Sequence, residues 1–187
     1  MITLQTLLYK TQEIPYDGTP LAPHWIYRKF DLLGDALVAF IGPAIVPTDH
    51  MVDLEDVKNN APIRSPKMLH FLGEWFIDSL EMGILLQNFL VANVYQRLWE
   101  KGVRDLSRRG NDLFYDRRKL SVSIATRSSV SVLVHLGINV ETQGTPIPTA
   151  GLQELWLDPW ELASEVLEKF QQDIEQFKKA RAKVLAR

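Results

Sequence analysis

Between Gly110 and Asn139 the sequence GNDLFYDRRKLSVSIATRSSVSVLVHLGIN carries the side chains best suited to chemistry: Asp112, Lys119, Ser121, Ser123 and His135. Lys119 is a compact cation with three donors, suited to a carboxylate or to phosphate oxygens. Asp112 can hold a magnesium ion or a ribose hydroxyl. Arg108 and Arg109 come just before, and Gly110 lets backbone approach a ligand closely. Together these types suggest a site for a carboxylate or phosphate, with Lys119 at its chemical centre. The same spacing also suits a plain Lys119–Asp112 ion pair on the solvent face of a sheet.

What decides between them is how strands present these residues. In VSVLVHLGINV, Val130, Val132, Val134, Leu136, Ile138 and Val140 alternate with Ser131, His135, Gly137 and Asn139. In KLSVSIAT, Leu120, Val122 and Ile124 alternate with Lys119, Ser121 and Ser123. Loops this short force an antiparallel meander, LFYD, KLSVSIAT, VSVLVHLGINV. A three-residue loop over 127–129 brings the apolar faces together and sets Ser121 opposite His135 and Lys119 opposite Gly137. A two-residue loop at Asp116 and Arg117 sets Phe114 opposite Lys119 and Asp112 opposite Ser121. The expected surface thus gathers Asp112, Lys119, Ser121 and His135, with open space above Gly137.

Other elements frame this meander. Residues 2–9 and DALVAFIG, ended by Gly42 and Pro43, read as strands. The stretch from about Met68 to Lys101 reads as one broken helix or two, closed at Gly102. Asp158 and Pro159 start a last helix, striped by Leu162, Val166, Phe170, Ile174 and Phe177. Its basic end, Lys178, Lys179, Arg181, Lys183 and Arg187, reads as a solvated tail. The fold class is α+β: a mixed, mainly antiparallel sheet covered by helices.

The totals narrow the function classes. With 187 residues, 46% apolar and five Trp, one domain is expected. Lys plus Arg is 21, Asp plus Glu 23 and the net charge −2, so nothing draws the chain toward nucleic acid or an acidic membrane. The absence of Cys removes disulfides, thiolate sites and a Cys nucleophile. The start shows no cationic signal segment, and no apolar run has spanning length, so a cytoplasmic protein is expected. His24 with Trp25 and Tyr27 offers a stacking wall or ordinary packing. His70 and Glu74, on one helical face in this reading, fall short of a metal site. Asp49, Asp53, Glu55 and Asp56 read as a capped helix start or a solvated loop.

GNDLFYDRRKLSVSIA at 110–125 and VLVHLGINV at 132–140 resemble the biotin and lipoate protein ligases, relatives of the class II aminoacyl-tRNA synthetase domain. Those ligases show a similar Asn-Asp-Leu, a short hairpin, Arg-Lys and a strand ending Gly-Ile-Asn-Val. YDG at 16–18, HWIYR at 24–28, GDALV at 34–38 and MVDLED at 51–56 look like an uncharacterised family of short prokaryotic proteins of the same superfamily. The resemblance implies a ligase-like fold, with Lys119 touching the carboxylate or acyl-phosphate of an acyl-adenylate. It implies that Asn111 and Asp112 lie by ATP and its magnesium, and that Gly137 and Asn139 line the pocket. The ligases' glycine-rich, double-arginine loop has only Arg28 and Gly34 as partial counterparts here. Two functions follow as expectations: acyl activation and transfer, or a binding module that has lost that chemistry. The partner is a small-molecule carboxylate or nucleotide, and open strand edges suit a homo-oligomer.

Overall fold

The computed structural model describes residues 3–185. Its elements, in chain order, are β1 (Gln5–Leu8), α1 (Trp25–Phe30), β2 (Ala36–Val46), a short 3-10 turn (Thr48–His50), α2 (Leu54–Lys58), β3 (Ile63–Trp75) and α3 (Leu80–Glu100). There follow β4 (Leu106–Arg109), β5 (Asp112–Tyr115), β6 (Arg118–Lys119), β7 (Ser121–Arg127), β8 (Val132–Glu141) and α4 (Pro159–Lys183). Five strands form one sheet in the order β1-β2-β3-β8-β7, and β4-β5-β6 form a smaller one. Only β1 and β2 run parallel; the other pairs of the large sheet are antiparallel. The α+β architecture, mixed and mainly antiparallel, is thus as the alternation indicates.

Both faces of the large sheet are covered. On one, Leu37, Ala39, Ile41, Leu69, Phe71, Leu136 and Ile138 meet Leu90 and Val94 of α3 and Leu162, Val166 and Phe170 of α4. On the other, Val38, Phe40 and Leu72 pack with Ile14, Tyr16 and Ile26, and with the segment after β2 through Met51. Double coverage explains where local reading fails. MLHFLGEW is strand, not helix, because a central strand buried on both sides is apolar at successive positions and loses its period of two. Helix begins only at Leu80, capped by the Ser79 hydroxyl, which accepts from the Met82 N–H at 3.1 Å.

Gly42 and Pro43 do not end β2 either. The pairing slips there between Gly42 and Ala44, and a proline is tolerated at such a bulge. A Cβ at Gly42 would stand 2.0 Å from the Ile14 carbonyl oxygen, so the approach of the N-terminal segment requires glycine. The strand expected over 2–9 is confined to Gln5–Leu8 among the described residues. In α4 the expected cap holds: Asp158 accepts from the N–H groups of Trp160 and Glu161. The stripe is buried through Ile174, but Phe177 is exposed. Of its basic end, Arg187 lies outside the described residues.

The most consequential correction concerns β7. Arg127 pairs with Val132 and Ser121 with Ile138, three residues from the expected register. The turn takes four residues, 128–131, because the Ser128 hydroxyl accepts from the N–H groups of Val130 and Ser131 while its own N–H donates to the Ser131 carbonyl. An odd shift turns the strand over. Ser121 and Ser123 therefore share a face with Leu136 and Ile138, and Val122 and Ile124 stand beside Gly137 and His135.

Ser131 also anchors a buried carboxylate. Glu74, 1% exposed, accepts the Ser131 hydroxyl at 2.7 Å and the His24 N–H at 2.9 and 3.0 Å. Ser131→Ala leaves one of these lone pairs unmet inside the protein. It is expected to cost about 2 kcal/mol, a fall in Tm of roughly 4–8 °C by thermal denaturation.

Candidate functional site

The hairpin that presents Lys119 folds as its sequence indicates. Asp116 and Arg117 form the two-residue turn with φ of 44° and 63°, and Phe114 pairs with Lys119. Positive φ at both turn positions matches the right-handed twist of a hairpin, even without the usual glycine. Lys119 is then held on its far side: its N–H donates to the Pro148 carbonyl and its carbonyl accepts from Ala150. At Leu120, fully buried, the chain leaves the small sheet and enters the large one. This crossing brings Lys119 to the same hollow as Val122 and Ile124.

That hollow is a cleft of about 420 Å³ on the sheet face away from α3 and α4. Its floor is Met68, His135 and Asn139 with Val122 and Ile124. One wall is the segment after β2, through Asp53, Glu55, Asp56 and Ile63, and another is Asn111, Asp112 and Lys119 with Ile147 and Thr149. Lys119 Nζ lies 2.8 Å from Asp112 Oδ2, and both side chains are about three-quarters covered. The pair and the site are therefore one structure: the ion pair exists, and it borders a cavity.

The remaining expected residues divide. Asn111 lines the cleft and donates its amide to the Ser123 carbonyl at 3.1 Å. Asn139, buried, lines it too and donates to the Lys119 carbonyl at 3.3 Å. Ser123 reaches the cleft edge, yet its hydroxyl is spent on the Asn111 carbonyl and the Gln87 amide. Ser121 is fully buried and accepts the Leu113 N–H at 2.9 Å, a structural use. Gly137 lies opposite Val122, not Lys119, and a Cβ on it would meet Met68 at 3.0 Å and His135 at 3.3 Å. The space above it is thus filled by side chains that belong to the floor.

The three expected arginines lie outside the cleft, whose lining instead includes Arg64 of β3. Arg108 binds the Asn88 side chain on α3 and the Gly110 carbonyl, and Arg109 stacks over the Phe114 ring. Gly110, at φ 61°, is an exposed turn residue, and Arg28 is exposed on α1. His24 caps α1 beside Phe76, so the stacking wall expected there is absent from the cleft.

His135 is on the cleft, as expected; the acidic wall and the partner histidine, His70, were not legible as site residues. Asp53 does cap α2, accepting from Glu55 and Asp56 N–H. Yet Asp53, Glu55 and Asp56 also face the cleft. Burial, then the charge of Asp53, raises the Asp56 carboxyl above its usual range, and Lys119 pulls the other way. His70 and His135 are wholly inside, joined by a 3.0 Å contact between His70 Nδ1 and His135 Nε2. His70 Nε2 lies 3.1 Å from the Gly42 carbonyl. Burial lowers both imidazoles, His70 to about 4. Tyr16 stacks on His135 at 3.8 Å, and burial raises its phenol. Among the described residues, no group of three His, Cys, Asp or Glu is arranged to hold a metal ion, and no helix is long and apolar enough to cross a membrane.

Over residues 5–185 the sequence matches the family described as Domain of unknown function (DUF366). A protein of unknown function from Pyrococcus horikoshi is similar, with a TM-score of 0.94 and 38% identity over 99% of this chain and 100% of that one. An uncharacterised protein of Methanocaldococcus jannaschii is 33% identical over 156 residues, 80% of this chain and 70% of that protein. Biotin protein ligase from Aquifex aeolicus, in complex with biotin and ATP, has a TM-score of 0.59 at 17% identity, over 96% of this chain and 73% of that one. At that distance the likeness is one of fold, which is that of the biotin and lipoate protein ligases.

Proposed function

As this chain belongs to the DUF366 family and has the biotin/lipoate ligase-like fold, we propose that its cleft takes a small carboxylic acid and activates it as an acyl-adenylate for transfer. The observation that carries this reading is Lys119 on the rim of a cavity of about 420 Å³, a size suited to a small organic ligand. Lys119 binds the carboxylate and stabilises charge that develops on carbonyl and phosphate oxygens, with no covalent protein intermediate. Apolar Met68, Val122, Ile124 and Ile147 take the body of the acid.

ATP supplies the adenylyl group when bound. Magnesium accompanying a nucleotide takes one or two carboxylates and keeps water or phosphate oxygens as its other ligands. Asp112 and Asp56, both on the cleft and both electrostatically coupled to Lys119, fit that role.

A second reading, a binding pocket without activation chemistry, is favoured by the position of Arg28 outside the cleft. Pyrophosphate exchange with a panel of carboxylic acids separates the two, since only the enzyme returns label to ATP. Thermal shift reports binding alone; an acid at 100 times its Kd adds about 2.7 kcal/mol. A shift without exchange selects the binding pocket. Neither shift nor exchange across the panel ends the carboxylate reading.

A further inference from the structure

The sheet face away from the cleft is covered by two helices that meet water differently. The outer face of α4 is polar, with Glu161, Ser164, Glu168, Gln172 and Lys179 exposed, as a surface helix requires. That of α3 is not: from Met82 to Gln96 the sequence MGILLQNFLVANVYQ has no charged residue in 15 positions. Yet α3 is a surface helix too. Leu85 is 61% exposed, and Met82, Ile84, Phe89 and Trp99 are each more than a third exposed. Phe177 of α4 extends the patch. The two helices run antiparallel, with Lys101 on Glu165 and Phe89 on Phe170, which brings exposed Phe177 level with Met82. At about 200 Å² for a large side chain, these six leave roughly 550 Å² of apolar surface in water. That equals the largest patch of a typical monomer, which is often functional.

We propose that a second copy of this chain covers this face, α3 against α3, antiparallel about a two-fold axis between Phe89 and Ala92. Charge selects this occupant. Asp78 is neutralised by Arg127 and Glu100 by Arg97, so the helix face ends in one acid, exposed Glu81, and one base, Arg104. Arg104 folds back over the Trp99 ring and donates to its carbonyl at 2.6 Å, which fixes its charge at the C-terminal rim. An antiparallel pair sets each acidic rim against the other copy's basic rim, whereas a parallel pair sets like charges together. Shape agrees. Centred there, Phe89 meets Ala92, the smallest side chain of the outer face, as a knob meets a hole, and Leu85 meets Gln96. Asn88 stays beside the seam, tied to the Ile84 carbonyl and to Arg108. With Ala92 and Gln96 added, the contact approaches the roughly 800 Å² per partner that a stable dimer buries. The strand edges are less open: the Asn111 amide closes on the Ser123 carbonyl of β7, and the Gln171 amide on the Leu4 carbonyl beside β1. Both clefts stay clear, since α3 lies on the opposite face of the sheet, and the pairing is independent of what the clefts bind.

Sedimentation of the whole chain reads the association. Wild type is expected to be a dimer, and Leu85→Glu with Phe89→Glu to weaken it about 100-fold or more by setting like charges against each other across the axis. A monomeric wild type, or a dimer that survives this pair of changes, overturns the proposal. Single cysteines, placed in a chain that has no other thiol, read the register. Ala92→Cys is expected to link to its own twin through a short bismaleimide. Glu81→Cys is expected not to, its twin lying roughly 28 Å away along the pair. Linking at both positions means a parallel pair, and linking at neither means another face; either overturns the proposal. Glu81→Arg is expected to weaken the dimer about tenfold and added Arg104→Glu to restore it; failure of the restoration overturns the rim pairing. If the Leu85→Glu, Phe89→Glu variant does not fold, the single cysteine variants decide.

Discussion

Lys119→Ala lowers acid-dependent pyrophosphate exchange by about 10² to 10³-fold, the expected loss when one preorganised donor to a developing anion is removed. The effect is large because Lys119 is held rather than tethered. Its N–H and carbonyl are bound to Pro148 and Ala150, and Asp112 sits 2.8 Å from its ammonium. Stability changes little, less than about 1 kcal/mol, since the pair is partly exposed and such pairs contribute modestly. Lys119→Arg keeps the charge and still fails to restore the rate, because a planar fork does not occupy the place of a compact ammonium. Exchange rates and urea midpoints measured on the same preparations check both halves. Wild-type exchange from either variant would remove Lys119 from the chemistry.

A second large effect is expected in acid. Free imidazole titrates near 6.5, whereas burial holds His70 at about 4 and His135 lower in the same direction. Between these values the unfolded chain takes up protons that the folded protein refuses, so stability is present above about pH 6.5 and is lost as pH falls toward about 4. His70 alone accounts for about 3 kcal/mol, or roughly 6–12 °C in Tm, and His135 adds to it. Asp56 has a raised carboxyl and works the opposite way at the acid end of this range. Urea unfolding at stepped pH from 7 to 4 measures the slope. In the double variant His70→Phe, His135→Phe the slope flattens, whatever its stability at neutral pH. An unchanged slope would mean that these rings accept protons without unfolding.

How much of this was readable depends on what each residue's neighbours are. The 116–117 turn and the Lys119–Phe114 pairing are local, and the alternation of LFYD and RK identifies them. Lys119 and Asp112 follow from that hairpin. The partner of Ser121 depended on whether the next turn took three residues or four, and a hydroxyl of Ser128 settled it. Hydrophobic alternation is indifferent to which of its two faces meets the helices when Ser121 and Ser123 find hydrogen bonds in the 111–113 backbone. β3 hid its period of two because both of its faces are interior. His70 and His135 are 65 residues apart and meet only because β3 and β8 are neighbours, which no local pattern announces. The acidic wall reads correctly as a helix cap and says nothing about the cavity it turns toward.

The two sides of the cleft mouth are fastened very differently. Residues 148–150 are stitched to Lys119 by main-chain bonds, so that side cannot part without unseating the ammonium. Opposite, residues 47–62 are tied mostly to themselves, with the His50 ring on the Asp17 carbonyl as a clasp. The rim is thus asymmetric: one border is continuous with the strand that carries the ammonium, while the other is a flap of local turns held between Val46 and Ile63.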